Sequence, residues 1–184
     1  MNLPNKLSML RICMIPFFVV FALMPALWAQ MVALALFIAA SVTDLLDGKI
    51  ARKRGLVTNF GKFIDPIADK LLVMSAFVVL TGQGRMPSWM CIIILAREFA
   101  ISGLRLVAAD AGKVIAAGWL GKVKTVTQMS AVIGLFFFVP LEGAPIHGQI
   151  GVILAQIAMY LATFMTLWSG VDYIVRNFDC IRDM

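Results

Sequence analysis

Six long apolar stretches constrain the fold of this chain more than any other feature of its sequence. They are separated by short links that contain charges, Gly or Pro, and they cover residues 10–28, 31–50, 64–81, 87–108, 123–141 and 149–175. A helix that crosses a bilayer needs roughly 17–25 mostly apolar residues, and every stretch reaches that length. Because the chain has 184 residues and is 61% hydrophobic, no room is left for a large domain outside the membrane. We therefore predict an all-α, polytopic bundle of six transmembrane helices, forming a single domain over residues 1–184.

The distribution of basic residues predicts the orientation of this bundle. The links near residue 29, at 82–86 and at 142–148 contain few charges, whereas Lys and Arg are frequent in the other links and at both ends of the chain. By the positive-inside rule both termini are then cytoplasmic. In a membrane protein the excess of 16 Lys and Arg over 10 Asp and Glu indicates topology and contact with the lipid bilayer, and we expect no nucleic-acid partner.

Two local predictions concern helix ends. Asn2 followed by Pro4 is typical of a helix start, and we expect segment 2–8 to lie along the membrane interface before the first span. Asp172 and Arg176 are four residues apart near the end of the last stretch, a spacing that predicts an ion pair on one helix face.

Four of the ten acidic residues fall within 26 residues of the second and third stretches. They are Asp44, Asp47, Asp65 and Asp69. Carboxylates within apolar helices are costly and indicate a functional site that faces the bundle interior or water. In a helix the first two lie about 60° apart and the last two about 40° apart, so each pair shares one face. Two antiparallel helices joined by the basic turn 51–63 bring both pairs together at the cytoplasmic side.

Four carboxylates at such close range repel one another strongly unless cations lie between them. Oxygen ligands without His or Cys suit Mg²⁺ or Mn²⁺ rather than zinc, and room for two ions agrees with two-metal phosphoryl chemistry. Gly48 and Gly61 allow close backbone approach, and Arg52 supplies a guanidinium, so the surroundings suit a diphosphate. The alternative is that the acids only balance nearby Lys and Arg, a role that does not need their paired spacing.

Eight residues at fixed spacings over 44–69 form one specific motif. The motif resembles the signature of the CDP-alcohol phosphotransferase family at every fixed position. These residues are Asp44, Asp47, Gly48, Ala51, Arg52, Gly61, Asp65 and Asp69. The resemblance covers essentially the whole chain, because that family is also a six-span bundle with its motif on the second and third spans.

The resemblance implies that an alcohol displaces CMP from a CDP-linked lipid without a phosphoenzyme intermediate. It also implies that Asp44, Asp47, Asp65 and Asp69 are the metal ligands, with Asp69 as the general base. The residues that contact the CDP-lipid are, by the same resemblance, Asn5, Gly48, Arg52, Thr58 and Gly61. Such an enzyme lies in the bacterial inner (cytoplasmic) membrane as a multi-pass protein, with its active site on the cytoplasmic side, and forms a homodimer.

Basic residues near the fourth and fifth stretches are candidates for binding the acceptor's phosphate. Arg97 and Arg105 lie within the fourth stretch, and Lys122 and Lys124 lie at the start of the fifth, on the same side as the aspartates. Together they would suit a phosphomonoester. Two alternatives stay open: an internal ion pair that holds helices together at Arg97 and Glu98, and a purely topological role for the two lysines.

Three short segments, 96–98, 101–105 and 121–125, resemble the bacterial phosphatidylglycerophosphate synthases, a branch of this family. The implied acceptor is sn-glycerol 3-phosphate, the donor is CDP-diacylglycerol, and the products are phosphatidylglycerol phosphate and CMP. Within the family, phosphatidylglycerol, which would give cardiolipin, and inositol phosphate are alternative acceptors. Outside it, a membrane cation transporter or a structural scaffold are alternatives, because acids within spans also mark ion pathways.

Overall fold

The computed structural model describes residues 3–54, 59–110, 118–138 and 147–178. Within these ranges the chain forms α-helices and no strand, so the all-α prediction is confirmed for this part of the chain. The helices are α1 Leu3–Leu23, α2 Leu27–Arg54, α3 Asn59–Gly82, α4 Ser88–Asp110, α5 Trp119–Phe138 and α6 His147–Arg176. Each corresponds to one of the six apolar stretches.

The C-terminal end of α1 differs from the prediction. The helix stops at Leu23 rather than near residue 28, because Pro25 disfavours helical backbone at the residue before it and has no N–H to donate. At the other end α1 begins at Leu3 and continues without a break. The predicted helix start after Asn2 is confirmed, since residues from Leu3 onward form the first turns of α1. The position of segment 2–8 along the membrane interface stays a prediction.

Three aromatic rings join α1, α2 and α5 in the core. Phe18 is fully buried, and its ring centroid lies 5.8 Å from that of Phe37 on α2 and 5.6 Å from that of Phe136 on α5. Tilted and edge-on contacts of this kind stabilise beyond the area they bury. Around these rings α1 packs against α2 and α3, while α6 packs against α5 and α4.

Glycines bring α5 and α6 close together. A Cβ atom added at Gly134 would lie 3.1 Å from Cβ of Ala155, and one added at Gly151 would lie 2.2 Å from Cδ1 of Phe138. Helices that pack in lipid use small residues for such close approach. The ring of Phe138 thus packs against α6 at Gly151, where a larger residue would leave no room for the ring.

A group of polar residues joins the ends of α1, α2 and α3, and we refer to Gln30, Gln83 and Arg85 as the Gln30 cluster. Nε2 of buried Gln30 donates hydrogen bonds to the carbonyl oxygens of Ala22 at 2.6 Å and Met24 at 2.8 Å. Gln83 donates to the same Ala22 carbonyl, and Arg85 donates to Oε1 of Gln30 at 2.9 Å. These bonds satisfy carbonyl groups that the end of α1 leaves without helical partners.

Large apolar side chains are exposed on every one of these helices, with Phe17, Ile92, Leu106 and Trp119 among the most exposed. By length and composition one described segment, Gln149–Arg176, is long and apolar enough to cross a membrane. Shorter apolar helical segments cover Leu7–Leu23, Leu27–Thr43 and Lys70–Gly82. In α2 and α3 the apolar segment stops beside an aspartate of the motif. The six-span topology itself stays a prediction.

Candidate active site

The aspartate motif lies on two consecutive helices. Its residues Asp44, Asp47, Gly48 and Arg52 belong to the second half of α2, and Gly61, Asp65 and Asp69 belong to the first half of α3. Because only residues 55–58 link α2 to α3, these two halves lie at the same end of the bundle. Side chains at these positions fall outside what the structure describes, as does that of Asn5 in the first turn of α1. Thr58 lies wholly outside the described residues.

On α2 the first two aspartates continue a buried stripe. Ala33, Phe37 and Ala40 are all fully buried and follow one another at helical spacing. Positions Asp44 and Asp47 follow Ala40 by four and seven residues, which keeps all five positions within about 80° of the helix circumference. The stripe that faces the core over the first half of α2 therefore leads to the first aspartate pair.

On α3 the second pair continues a similar stripe in the opposite direction along the chain. Leu72, Ala76 and Leu80 are buried, and Asp69 and Asp65 precede Leu72 by three and seven residues. These five positions also lie within about 80° of one another. Helical spacing thus aligns both pairs with the interior sides of α2 and α3.

The chemistry of this donor set fits a hard divalent cation, because four carboxylates offer only oxygen ligands. Among the side chains that the structure describes, no group of three or more His, Cys, Asp or Glu is placed to hold a metal ion. The four aspartates are outside that set, so the metal centre stays a prediction.

Beside the motif lies a small, partly open cleft between α3, α4 and α5. It is lined by Lys70, Val73, Met74, Phe77, Ile94, Glu98, Lys124, Thr125 and Gln128. Lys70 directly follows Asp69, and the other α3 residues in the lining lie within two turns of it. The cleft therefore adjoins the part of α3 that contains the second aspartate pair.

A charge cluster of Arg97, Glu98 and Lys124 lies in and behind this cleft. Lys124 is 5% exposed and forms an ion pair with Oε1 of Glu98. Nη1 of Arg97 lies 3.5 Å from the same oxygen. Lys70 and Lys124 thus place two ammonium groups along the lining of the cleft. Cationic side chains in a partly enclosed site favour a small anion.

The four predicted phosphate-binding residues are not brought to one place. Nη2 of Arg97 donates to Oγ of Ser169 at 3.1 Å, toward α6 and away from the cleft. Nε of Arg105 donates to Oη of Tyr173 at 3.1 Å, and its guanidinium lies 5.2 Å from the centre of that ring. Lys122 is exposed at the start of α5 and is not among the residues that line the cleft. Only Lys124 of the four lines it directly.

Two of the ion pairs considered from the sequence are present. The internal ion pair that was the alternative to phosphate binding joins α4 to α5 through Glu98 and Lys124, with Nη1 of Arg97 at 3.5 Å from the same carboxylate. Arg176 donates to Asp172 at 2.7 Å, which confirms that prediction.

Sequence reasoning missed Lys70, Gln128 and Tyr173 as neighbours of the site. Gln128 had a detectable signal, because an amide within an apolar helix needs a partner, and it donates to Oγ1 of Thr166 at 2.9 Å. Lys70 directly follows Asp69, but its place in the lining depends on how α3 packs against α4 and α5. The contact of Tyr173 with Arg105 depends on how α4 and α6 pack.

The helical bundle and the motif on α2 and α3 define a class of protein. The family model of the CDP-alcohol phosphatidyltransferases matches residues 1–168, and the chain belongs to this family. Its members are membrane-integral enzymes that generally use divalent metal ions.

Individual relatives in this family are similar over nearly the whole chain. The chain is 43% identical to the CDP-diacylglycerol–glycerol-3-phosphate 3-phosphatidyltransferase of Bacillus subtilis (strain 168), over 98% of this chain and 97% of the relative. It is 42% identical to the probable phosphatidylglycerophosphate synthase of Mycobacterium tuberculosis (strain ATCC 25618 / H37Rv), over 100% of this chain and 83% of the relative. A third relative, the CDP-diacylglycerol–glycerol-3-phosphate 3-phosphatidyltransferase of Salmonella paratyphi A, is 39% identical over 94% and 93% of the two chains.

Proposed function

We propose that this chain transfers the phosphatidyl group of CDP-diacylglycerol to sn-glycerol 3-phosphate, giving phosphatidylglycerol phosphate and CMP. The observation on which this depends most is the aspartate motif on α2 and α3 beside a cleft lined by Lys70 and Lys124. The relatives named for this reaction support the same choice of donor and acceptor.

The acceptor binds in the cleft through its phosphate. Lys124 and Lys70 line the cleft and supply ammonium donors, while Glu98 holds Lys124 in place before the acceptor arrives. Ion-paired hydrogen bonds of this kind are shorter and roughly twice as strong as neutral ones. Arg97, Arg105 and Lys122 act at longer range by raising the local positive potential, since two of them bind α6 residues and the third is exposed.

In the reaction, Asp69 accepts the proton of the acceptor's hydroxyl group as its oxygen attacks phosphorus. The attacked phosphorus is the one that bears diacylglycerol, and its bond to the oxygen shared with CMP breaks, so that CMP leaves. Mg²⁺ or Mn²⁺ held by Asp44, Asp47, Asp65 and Asp69 would stabilise the charge that develops on the phosphoryl oxygens. Positioning of the two substrates supplies much of the remaining rate.

The CDP-lipid is held on the other side of the motif. The residues proposed to contact it are Asn5, Gly48, Arg52, Thr58 and Gly61. Arg52 binds the diphosphate through its guanidinium, and the two glycines let phosphate oxygens approach the backbone. This assignment rests on the resemblance of the motif to the family.

The bundle crosses the bacterial inner membrane six times, with both termini and the aspartates on the cytoplasmic side. Two observations support this topology: large apolar side chains are exposed on each helix, and basic residues concentrate in alternate links. Exposed apolar surface of this extent is unfavourable in water and expected in lipid. A homodimer is part of the same proposal.

The reaction is tested by CMP release from detergent-purified protein given CDP-diacylglycerol with Mg²⁺ or Mn²⁺. Glycerol 3-phosphate, phosphatidylglycerol, inositol phosphate and serine are offered separately, and each lipid product is identified. We expect release that depends on glycerol 3-phosphate and forms phosphatidylglycerol phosphate. Release with another acceptor would overturn the choice of acceptor, and no release with any of them would favour cation transport.

The role of Asp69 is tested by Asp69→Asn, with Asp172→Asn as the matched control. Asp172 pairs with Arg176 far along α6 and has no part in the site, so its variant should keep turnover. Asp69→Asn should lose turnover by several orders of magnitude while still binding CDP-diacylglycerol. Full turnover in Asp69→Asn would exclude Asp69 as the base.

A further inference from the structure

The buried stripe of α1 contains a charged residue. Ser8, Arg11, Ile15, Phe18 and Ala22 follow one another at alternate spacings of three and four residues, and all are at most 5% exposed. Arg11 is 1% exposed and is among the largest fully buried side chains of the structure. A guanidinium with so little exposure is strongly destabilising unless it is paired, and a carboxylate is its strongest partner.

The described carboxylates do not supply this partner. Among the side chains that the structure describes, acidic groups occur at Glu98, which pairs with Arg97 and Lys124, and at Asp172, which pairs with Arg176. The remaining candidates are acidic residues that lie on a described helix but whose side chains the structure does not describe.

The register of α1 against α2 indicates which acidic residue this is. The two helices are joined by residues 24–26 and run antiparallel, and the Phe18 and Phe37 rings are in contact across them. Arg11 precedes Phe18 by seven residues, and Asp44 follows Phe37 by seven. Seven residues make two turns, or about 10 Å, and return to nearly the same helix face. Arg11 and Asp44 are therefore level with each other on facing stripes.

We propose that Arg11 is a positioning residue of the aspartate motif, and that its guanidinium pairs with the Asp44 carboxylate. Its burial in the helix interface keeps it from contact with substrate, so it acts through Asp44. The planar fork of a guanidinium fixes both the position and the rotation of a carboxylate, which a lysine ammonium does not. Because Asp44 is a proposed metal ligand, the pairing orients that ligand before the ion binds; this consequence rests on the proposed function.

The pairing itself is tested without metal or substrate. Arg11→Met, Asp44→Asn and the double variant are purified in detergent with EDTA, and their melting temperatures are compared with that of the unchanged protein. Arg11→Met strands the Asp44 carboxylate among neighbouring aspartates, so it should lower the melting temperature by several degrees. Asp44→Asn strands the guanidinium but also relieves repulsion among the aspartates, so its own loss should be smaller. The double variant should lose less than the sum of the two single losses.

A control cycle combines Arg11→Met with Asp172→Asn, whose losses should add because Asp172 pairs with Arg176. Additive losses in the Arg11–Asp44 cycle as well would overturn the pairing. Since neither cycle involves substrate or turnover, this outcome is independent of whether the proposed reaction is correct.

The positioning role is tested by the response to Mn²⁺. Losing the group that orients a metal ligand typically costs about 10–100-fold in metal affinity. In Arg11→Met we expect the Mn²⁺ concentration for half-maximal CMP release to rise by that factor, with KM for glycerol 3-phosphate within about twofold of the unchanged protein. The rise in melting temperature caused by Mn²⁺ should shrink in parallel, and Arg11→Lys should recover part of both. A folded Arg11→Met with an unchanged Mn²⁺ response would exclude the positioning role.

Discussion

Lys124 is the described residue whose substitution should affect acceptor binding most. It lines the cleft, it is nearly buried, and its ammonium already binds a carboxylate that an acceptor phosphate can replace. A hydrogen bond to a charged group contributes about 1.5–3 kcal/mol, so Lys124→Met should raise KM for glycerol 3-phosphate by about 10–100-fold. The exposed Lys122 should give a smaller effect. Steady-state CMP release against acceptor concentration measures both.

Arg176→Met is the matched control for this change, because it removes one positive charge from an exposed ion pair worth about 0–1 kcal/mol. Lys124→Met also leaves Glu98 with Arg97 alone, which lowers stability. An unchanged KM in folded Lys124→Met would mean that Lys124 is only a structural partner of Glu98.

Among pairs of elements, α5 and α6 depend most on glycine. At Gly151 an added Cβ would overlap the ring of Phe138, whereas at Gly103, on α4, an added Cβ meets nothing within 4 Å. Gly151→Ala should therefore lower the melting temperature through about 1–3 kcal/mol of overpacking. Gly103→Ala should leave the melting temperature equal or higher, because alanine favours helix over glycine. Thermal unfolding in detergent compares the two, and a stable Gly151→Ala would show that Phe138 moves aside without cost.

The existence of the helices follows from the sequence, and their contacts do not. Each apolar stretch predicted one helix, and Pro25 is a local signal for the early end of α1. On α4, Glu98 and Arg105 are seven residues apart, so helical spacing puts them on one stripe. They lie about 10 Å apart along the axis, and the structure directs Glu98 to α5 and Arg105 to α6. Which neighbouring helix each side chain contacts depends on how the helices cross. The periodicity of one helix gives no information about that crossing.

At the scale of the whole molecule, polar groups are concentrated at two levels of the bundle. At one end the Gln30 cluster satisfies the carbonyls of the α1–α2 turn with internal hydrogen bonds. At the other end α2 and α3 bring the aspartate motif next to the cleft. Between them the core is built from Phe18, Phe37 and Phe136. Soluble substrates therefore have polar surroundings at the end where the motif lies.

This division predicts that the two ends face opposite sides of the membrane. Ser88 begins α4 at the end of the Gln30 cluster, Lys122 lies near the start of α5, and both are exposed. With the three native cysteines replaced by alanine, Ser88→Cys and Lys122→Cys each provide one thiol. Because the Gln30 end has few basic residues, a membrane-impermeant maleimide should label Ser88→Cys in intact spheroplasts. Lys122→Cys should react only after the membrane is opened, since the basic links stay in the cytoplasm. The reverse pattern would show that the bundle has the opposite orientation in the membrane. Labelling of both sites from outside would contradict the prediction that α4 crosses the bilayer.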